Sequence, residues 1–372
     1  MSAPLDGLRV LDLSRVLSGP YATMALADLG ADVVKVERTG SGDDTRAFGP
    51  PYMDGVSTYF LSINRGKRSI EIDLKTAEGR ALLKRLASRA DVLVENFRPG
   101  VMERLGLGAD TLMSENPRLV FCSISGFGRD SAKPGYDLVI QGLSGIPSIT
   151  GNGESPYKCG ASIADLCAGM NAVSGILAAL VRRGVTGKGG LVDVSMLDGQ
   201  LSLLTYHASA WLNAGIRPKA IGNAHPSIHP FRAFQTRDGW LNIAVGNDVQ
   251  FRRFSEALRE VWHTDERFSE NAGRVQNREA LDSLMEPVFL QKTTAEWLTL
   301  MEPCGIPMGP VRDVASALED AKLVSHPHPS GEGVVRTLGL PYSIGGHEAP
   351  NGKGAPLLGA HQEEVLEDWL DG

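Results

Sequence analysis

Asp165 stands in the sequence where a carboxylate could act as a nucleophile. It begins an apolar run, DLCAGMNAVSGILAALVRR, that the sequence predicts to be a helix. An ionised carboxylate can attack an acyl carbon. Aspartate directly before a helix is also a favoured N-cap, and the residues alone favour that structural role. The two roles are compatible, because the dipole and amide donors of a helix N-terminus would hold the carboxylate ionised.

Other patterns that carry chemistry do not occur in the sequence. The four cysteines are too far apart for zinc or thiol-redox chemistry: Cys122, Cys159, Cys167 and Cys304. The pair His326 and His328 lies in a predicted loop, SHPHPSGEG, without acidic partners, and we predict no metal site. Gly187-Lys188 lacks the P-loop spacing, and residues 14–20 contain no dinucleotide fingerprint. The residues alone therefore indicate a soluble α/β protein of enzyme type and no particular reaction.

The elements that must position such chemistry alternate along the first half of the chain. Apolar, β-branched runs predict strands over 8–13, 32–37, 69–74, 91–96, 119–125 and within 184–196, with helices over 21–30 and 77–90. This alternation predicts βαβ units and a parallel sheet. Small residues spaced through 161–183 predict a buried helix that packs closely on its neighbours.

A second domain is predicted further along the chain. Asp238-Gly239 lies between two strand-like runs and predicts a hairpin, and helical patterns follow over 248–260, 276–288 and 293–303. We therefore predict a large domain over 1–200, a linker over 201–224, a small α+β domain over 225–315, and a linker and return to the large domain over 316–372.

Composition limits the partners of the protein. Its formal charge of −7 argues against non-specific binding to nucleic acid or anionic lipid, so a bound anion must meet a local basic patch. The first residues show no signal-peptide pattern, and no stretch approaches the roughly 18 uncharged apolar residues of a membrane helix. We expect a cytoplasmic protein that does not bind membranes.

Eight collinear segments resemble the formyl-CoA transferase family, also called CaiB-like or class III CoA-transferases. They are VLDLSRVLSGP, LGADVVKVER, NRGKRSIEIDLKTAEGR, ADVLVENFRPGVMERLG, GYDLVIQGLSG, ASIADLCAGMNAVSGILAALVRR, TGKGGLVDVSMLD and GIPMGPVRDVASAL, which extend over nearly the whole chain. The resemblance implies an enzyme that moves coenzyme A between carboxylic acids, with CoA and acyl-CoA as substrates and no tightly bound cofactor. It also implies a large discontinuous Rossmann-like domain, a smaller α+β domain and an interlocked homodimer.

Site residues follow from the same motifs. The resemblance implies that Asp165 attacks the donor thioester to form an aspartyl anhydride and then an aspartyl-CoA thioester. The implied CoA contacts are Val16, Arg38, Ile72, Lys75, Asn96, Phe97 and Arg104, and spacing adds Arg98. Tyr136 and Asp137 match a Tyr-Glu pair that the family places near the reacting acyl group.

The substrate acids are expected to be dicarboxylates. Leu17 replaces a glutamine of formyl-CoA transferase, and the glycine loop of that enzyme has no counterpart, so oxalate and formyl-CoA are disfavoured. Residues 222–251 instead resemble family members that act on dicarboxylates, with succinyl-CoA as the expected donor. His225 and, more weakly, Asn247 are candidate substrate contacts. An α-methylacyl-CoA racemase is the alternative, although that branch has His-Asp where this chain has Tyr136-Asp137.

Overall fold

The computed structural model describes residues 3–349 and 352–371. The described residues divide into two compact units. Unit 1 lies within Met1–Ile146, Lys158–Ala214 and Lys322–Gly372, and unit 2 comprises Pro147–Tyr157 and Gly215–Ala321. Residues 205–214 of the predicted linker form a helix of unit 1, and unit 1 resumes at Lys322.

The strands are as follows in chain order. They are β1 (Arg9–Asp12), β2 (Asp32–Glu37), β3 (Tyr52–Met53), β4 (Val56–Ser57), β5 (Lys67–Glu71), β6 (Val92–Glu95), β7 (Val120–Ser125), β8 (Gly190–Ser195), β9 (Phe231–Gln235), β10 (Trp240–Ala244), β11 (Met308–Pro310), β12 (Leu323–Pro327) and β13 (Val334–Leu338).

The α-helices lie between and after these strands. They are α1 (Ser18–Asp28), α2 (Thr58–Ile63), α3 (Ala77–Ala87), α4 (Val101–Arg104), α5 (Ala109–Glu115), α6 (Asp137–Ser144), α7 (Ile163–Thr186), α8 (Met196–Ser202), α9 (Thr205–Ala214), α10 (Asp248–Ala257), α11 (Asn271–Gln276), α12 (Arg278–Phe289), α13 (Thr294–Met301), α14 (Val314–Glu319) and α15 (Gln362–Leu366).

Unit 1 is built on a parallel sheet with the strand order β5-β2-β1-β6-β7-β8, which confirms the predicted parallel α/β fold. Successive strand residues point to opposite faces, so Val10 and Val120 pack with α1 and α7 on one face. Leu11 and Phe121 pack with α3, α5 and α15 on the other. The order runs outward in both directions from β1 and β6, which makes their junction the topological switch point.

Strand β5 begins two residues earlier than the sequence predicts. It includes Lys67 and Arg68, whose charges argue against a buried strand. Each has a carboxylate partner, since Lys67 lies 3.0 Å from Asp12 and Arg68 lies 2.6 Å from Asp32. Paired charges of this kind can enter a sheet.

The helix predicted over 161–183 is observed as α7, but only one face of it is buried. Ala168, Ala172 and Ile176 lie in the core, whereas Met170 and Val185 are exposed in the single chain. Helix α7 is also long and apolar enough by composition to cross a membrane, which corrects the expectation that no segment would be. The core helix of a soluble protein can have the same length and composition, so these two properties do not by themselves identify a membrane span.

Unit 2 contains the antiparallel sheet β11-β10-β9, and the predicted hairpin at Asp238-Gly239 is confirmed. Its core joins this sheet to α10, α12 and α13.

The segment with the close histidine pair is not the loop that the sequence predicts. His326 lies within β12 of unit 1, and His328 follows it. Both are buried, and their ring nitrogens contact Thr337 and the backbone of Met53. Among the described residues no group of three or more His, Cys, Asp or Glu side chains could hold a metal ion.

Candidate active site

A cleft in unit 1 opens at the carboxyl ends of β1, β6 and β7, which includes the switch point of the sheet. Open α/β sheets bind ligands at this position. The cleft is lined by Arg15, Val16, Ser18, Asp44, Asn96, Phe97, Arg98, Pro99, Ile124, Ser125, Gly126, Lys133, Pro134, Gly135, Tyr136, Asp165 and Met196. Six of the predicted site residues therefore meet in one place: Val16, Asn96, Phe97, Arg98, Tyr136 and Asp165.

Asp165 is not the N-cap of its helix, so this prediction is wrong. Ser162 is the N-cap residue, and Asp165 lies in the first turn of α7. Instead, the Asp137 carboxylate accepts a hydrogen bond from the Ala164 N–H at 2.9 Å. Asp165 is thereby left facing the cleft, without the cap that was expected to hold it ionised.

The pKa of Asp165 is raised from its ordinary value of 3.8 to about 7. Burial is the main cause, because it disfavours the charged form, and the negative charge of Asp137 adds to it. A hydrogen bond from the Ser18 side chain acts in the opposite direction. Near neutral pH the carboxylate therefore exchanges between its neutral and its nucleophilic form.

Both carboxylate oxygens of Asp137 accept a hydrogen bond. Its Oδ1 accepts from Ala164 N–H, and its Oδ2 accepts from the Gln141 side chain at 2.8 Å. Tyr136 precedes it as the N-cap residue of α6 and is 69% exposed on the wall of the cleft. The structure thus places Tyr136 at the cleft and Asp137 behind Asp165.

Glycines allow the backbone to come close to Asp165. A Cβ at Gly169, one turn along α7, would lie 2.7 Å from the carbonyl oxygen of Ser18. Gly126 and Gly135 cross so closely that a Cβ on either would meet the backbone of the other at 2.7 Å or less. A side chain at these positions would push the cleft walls apart.

Among the described residues, three cationic side chains line the cleft: Arg15, Arg98 and Lys133. The Arg15 guanidinium is 3.3 Å from Asp44 and lies over the Phe97 ring at 5.3 Å, whereas Arg98 and Lys133 are exposed. Such side chains suit the phosphates and carboxylates of an acyl-CoA. Sequence reasoning missed Arg15 and Lys133. The available signal was position, since Arg15 precedes Val16 and Lys133 lies in the loop before Tyr136.

The other predicted CoA contacts do not line the cleft. Arg38 is exposed and bonds to Asp44, while Lys75 is exposed in the turn before α3. Arg104 is exposed at the end of α4, and Ile72 is buried in the core. Their contacts with CoA stay predictions.

The two candidate substrate contacts lie in unit 2. The His225 Nδ1 accepts a hydrogen bond from the Ser227 N–H at 3.1 Å. The Asn247 side chain caps α10 by accepting from the Gln250 N–H at 2.9 Å. Helix capping accounts for Asn247 without a substrate.

Tyr59 and Ser125 are polar residues near the site that sequence reasoning missed. Burial raises the pKa of Tyr59 to about 12, with further contributions from nearby carboxylates that include Asp165. The Ser125 hydroxyl is buried at the end of β7, lines the cleft and has no hydrogen-bond partner among the described residues. Neither has a motif that would single it out in the sequence.

The fold and the cleft define an α/β protein that holds an aspartate of raised pKa in a cleft at the switch point of a parallel sheet. A family model described as CoA-transferase family III matches residues 5–362. Succinyl-CoA:glutarate CoA-transferase of Mus musculus is 39% identical over 378 residues, which cover 99% of this chain and 86% of that protein. Acetyl-CoA:oxalate CoA-transferase of Acetobacter aceti is 41% identical over 362 residues, or 95% of this chain and 93% of that protein.

A solved structure agrees with these sequence matches. The crystal structure of a CaiB/BaiF family protein from Brucella suis is 38% identical, with a TM-score of 0.87 over 99% of this chain and 100% of that one. The chain therefore belongs to CoA-transferase family III and is an enzyme of the transferase class. The predicted family resemblance is confirmed.

Proposed function

We propose that the protein transfers coenzyme A from an acyl-CoA to a carboxylic acid, with Asp165 as the covalent nucleophile. The observation that carries this proposal is the position of Asp165. It is a partly buried carboxylate in a cleft that also holds cations, at the switch point of the sheet. An anionic thioester and an anionic acid both need such cations beside the reacting carboxylate.

The proposed reaction proceeds through two kinds of acyl adduct. An Asp165 oxygen attacks the thioester carbon, and the carbon–sulfur bond breaks. CoA leaves as thiolate, and the donor acyl group stays on Asp165 as a mixed anhydride. The thiolate attacks the aspartyl carbonyl carbon, which releases the donor acid and leaves an aspartyl-CoA thioester. The acceptor carboxylate attacks the aspartyl carbon of this thioester and expels the thiolate, which forms a second mixed anhydride between the acceptor and Asp165. The thiolate then attacks the acyl carbon of the acceptor to give the new acyl-CoA. Asp165 is regenerated as a carboxylate.

Succinyl-CoA is the proposed donor, and a dicarboxylic acid is the proposed acceptor. Glutarate and oxalate, named in the two relatives above, are both dicarboxylic acids. Leu17 is buried beside the cleft and offers no polar group where formyl-CoA transferase has glutamine. We therefore expect acids longer than oxalate to be preferred. No histidine is among the described residues that line the cleft, which disfavours the racemase alternative.

The direct test is exchange with succinyl-CoA and a panel of dicarboxylic acids, followed by mass spectrometry of the new thioesters. Asp165→Ala should abolish exchange while CoA still binds, and hydroxylamine should trap an aspartyl adduct in the wild type. Asp198→Ala is a matched control, because Asp198 is an exposed acid in the first turn of α8. Full exchange by Asp165→Ala would refute the nucleophile.

We also propose that the enzyme is a homodimer, interlocked as the family resemblance implies. The support lies in apolar side chains that unit 1 exposes in the single chain: Leu138, Leu143, Met170, Val181, Val185 and Leu212. Val185 is 87% exposed, and exposed apolar faces of this kind usually pack against a partner. Light scattering should give the mass of two chains, and a monomer at micromolar concentration would contradict the proposal.

A further inference from the structure

Lys35 is a buried cation behind the cleft that the proposed reaction does not use. Its side chain on β2 is fully buried, and its ammonium nitrogen lies 2.9 Å from the carbonyl oxygen of Ser14 and 2.9 Å from Oδ2 of Asp43. Asp12 and Glu37 also face it. Lysine is rarely buried, because its charge loses water unless partners replace it. We call residues 13–17 the β1–α1 loop. Of the two partners of Lys35, Ser14 belongs to this loop and Asp43 accepts a hydrogen bond from it.

The β1–α1 loop is held by side chains from outside it. The bonds are Ser14 N to Asp12 Oδ1 (2.9 Å), Lys35 Nζ to Ser14 O (2.9 Å), Arg15 N to Asn96 Oδ1 (2.8 Å), Asn96 Nδ2 to Arg15 O (2.7 Å) and Val16 N to Asp43 Oδ1 (3.2 Å). Val16 has a φ of 67°, in the left-handed region that a β-branched residue avoids. Such a conformation persists only where surrounding contacts over-determine it.

Asp43 connects Lys35 to Val16. It is 1% exposed, and its Oδ1 accepts hydrogen bonds from the Val16 N–H and from the Thr45 N–H. Its Oδ2 faces the Lys35 ammonium group. Without that charge, the carboxylate would be buried without a counter-ion and would take up a proton or move toward water. Either change would weaken the bond that holds Val16.

The loop leads directly into Ser18, which lines the cleft together with Asp165 and packs against α7 at Gly169. The Ser18 side chain lowers the pKa of Asp165. On the basis of the proposed function, we propose that Lys35 is a positioning residue. Through Ser14 and Asp43 it holds the β1–α1 loop so that the Ser18 hydroxyl reaches the nucleophile. Lys35 itself touches no substrate.

The test is Lys35→Met, which keeps the length of the side chain and removes its charge. A displacement of about 1 Å in a group beside the reacting atoms can cost about 10²-fold in rate, so a displaced Ser18 should lower kcat by about 10²-fold, with a smaller change in the KM for succinyl-CoA. Because the Ser18 bond lowers the pKa of Asp165, its loss should move the acid limb of the rate profile to higher pH. Ser18→Ala should move the limb in the same direction.

A second readout does not depend on exchange. The difference in Tm between the protein and its Asp165→Asn variant changes over the pH range in which Asp165 titrates. When both proteins also carry Lys35→Met, this range should lie at higher pH. Arg65→Met is the control, because Arg65 is buried and its guanidinium binds Asp28 and Thr337. It should lower the Tm without moving either pH readout.

The two proposals fail in different ways. If the wild type shows no CoA exchange, but Lys35→Met still shifts the titration of Asp165, the proposed function is refuted and the role of Lys35 is not. A folded Lys35→Met with wild-type kcat and an unmoved titration would refute the role of Lys35. If Lys35→Met does not fold, Asp43→Asn takes its place with the same expected results. An unmoved profile in that variant would refute the role equally.

Discussion

Asp165→Asn is expected to make the protein more stable at neutral and alkaline pH. The folded state raises the pKa of Asp165 from 3.8 to about 7, so it favours the neutral form. Below about pH 4 the carboxyl is protonated in both states, and its pKa shift has no effect on stability. As the pH rises from about 4 to about 7, the carboxyl group ionises in the unfolded chain but stays protonated in the folded chain. Ionisation therefore stabilises the unfolded state over this range. Stability from this group is lost over that range and is constant above it.

The magnitude follows from the two pKa values. One pKa unit corresponds to about 1.4 kcal/mol, which gives a ceiling of about 4 kcal/mol. Water in the cleft screens part of this, and we expect a gain of about 2 kcal/mol at about pH 8 relative to about pH 4. Urea titrations of the wild type and Asp165→Asn at both pH values measure it. A stability difference that does not change with pH would refute the reasoning.

Three further outcomes follow from the cleft. Asp137→Asn should move the acid limb of kcat/KM to lower pH, because it removes a charge that raises the pKa of Asp165; an unmoved limb would contradict this coupling. Gly169→Ala should reduce kcat by at least about tenfold, since its Cβ would meet the Ser18 carbonyl at 2.7 Å. Lys133→Ala should raise the KM for acyl-CoA more than it lowers kcat, and added salt should narrow the difference from wild type.

The fold of unit 1 could be predicted because its strands are apolar runs separated by helical ones. The predicted bounds of strands were wrong where a charged or polar side chain has a partner far away in the sequence. The Lys67–Asp12 pair brings a lysine into β5, although the two residues are far apart in the sequence. His326 in β12 and His328 just after it similarly contact residues of other strands, Thr337 in β13 and Met53 in β3.

The candidate site could be predicted only where motifs carried it. The motif brought Asp165 to the first turn of α7, but its pKa is raised first by burial and then by the charge of Asp137, which belongs to α6 and accepts a hydrogen bond from α7. Local spacing cannot reveal that the group receiving the amide hydrogen bond comes from another helix. Arg15 and Lys133 are in turn indistinguishable in sequence from ordinary surface cations.

The raised pKa of Asp165 bears on how the proposed reaction can proceed at all. With a pKa of about 7, about half of the carboxylate is ionised at pH 7 in the unliganded protein. A carboxylate that burial makes more basic is also a stronger nucleophile once it is ionised. The acceptor acid brings another negative charge, which by itself would raise the pKa of Asp165 further. Arg15, Arg98 and Lys133 are the groups that can offset this charge, so loss of these cations should suppress the attack step as well as binding.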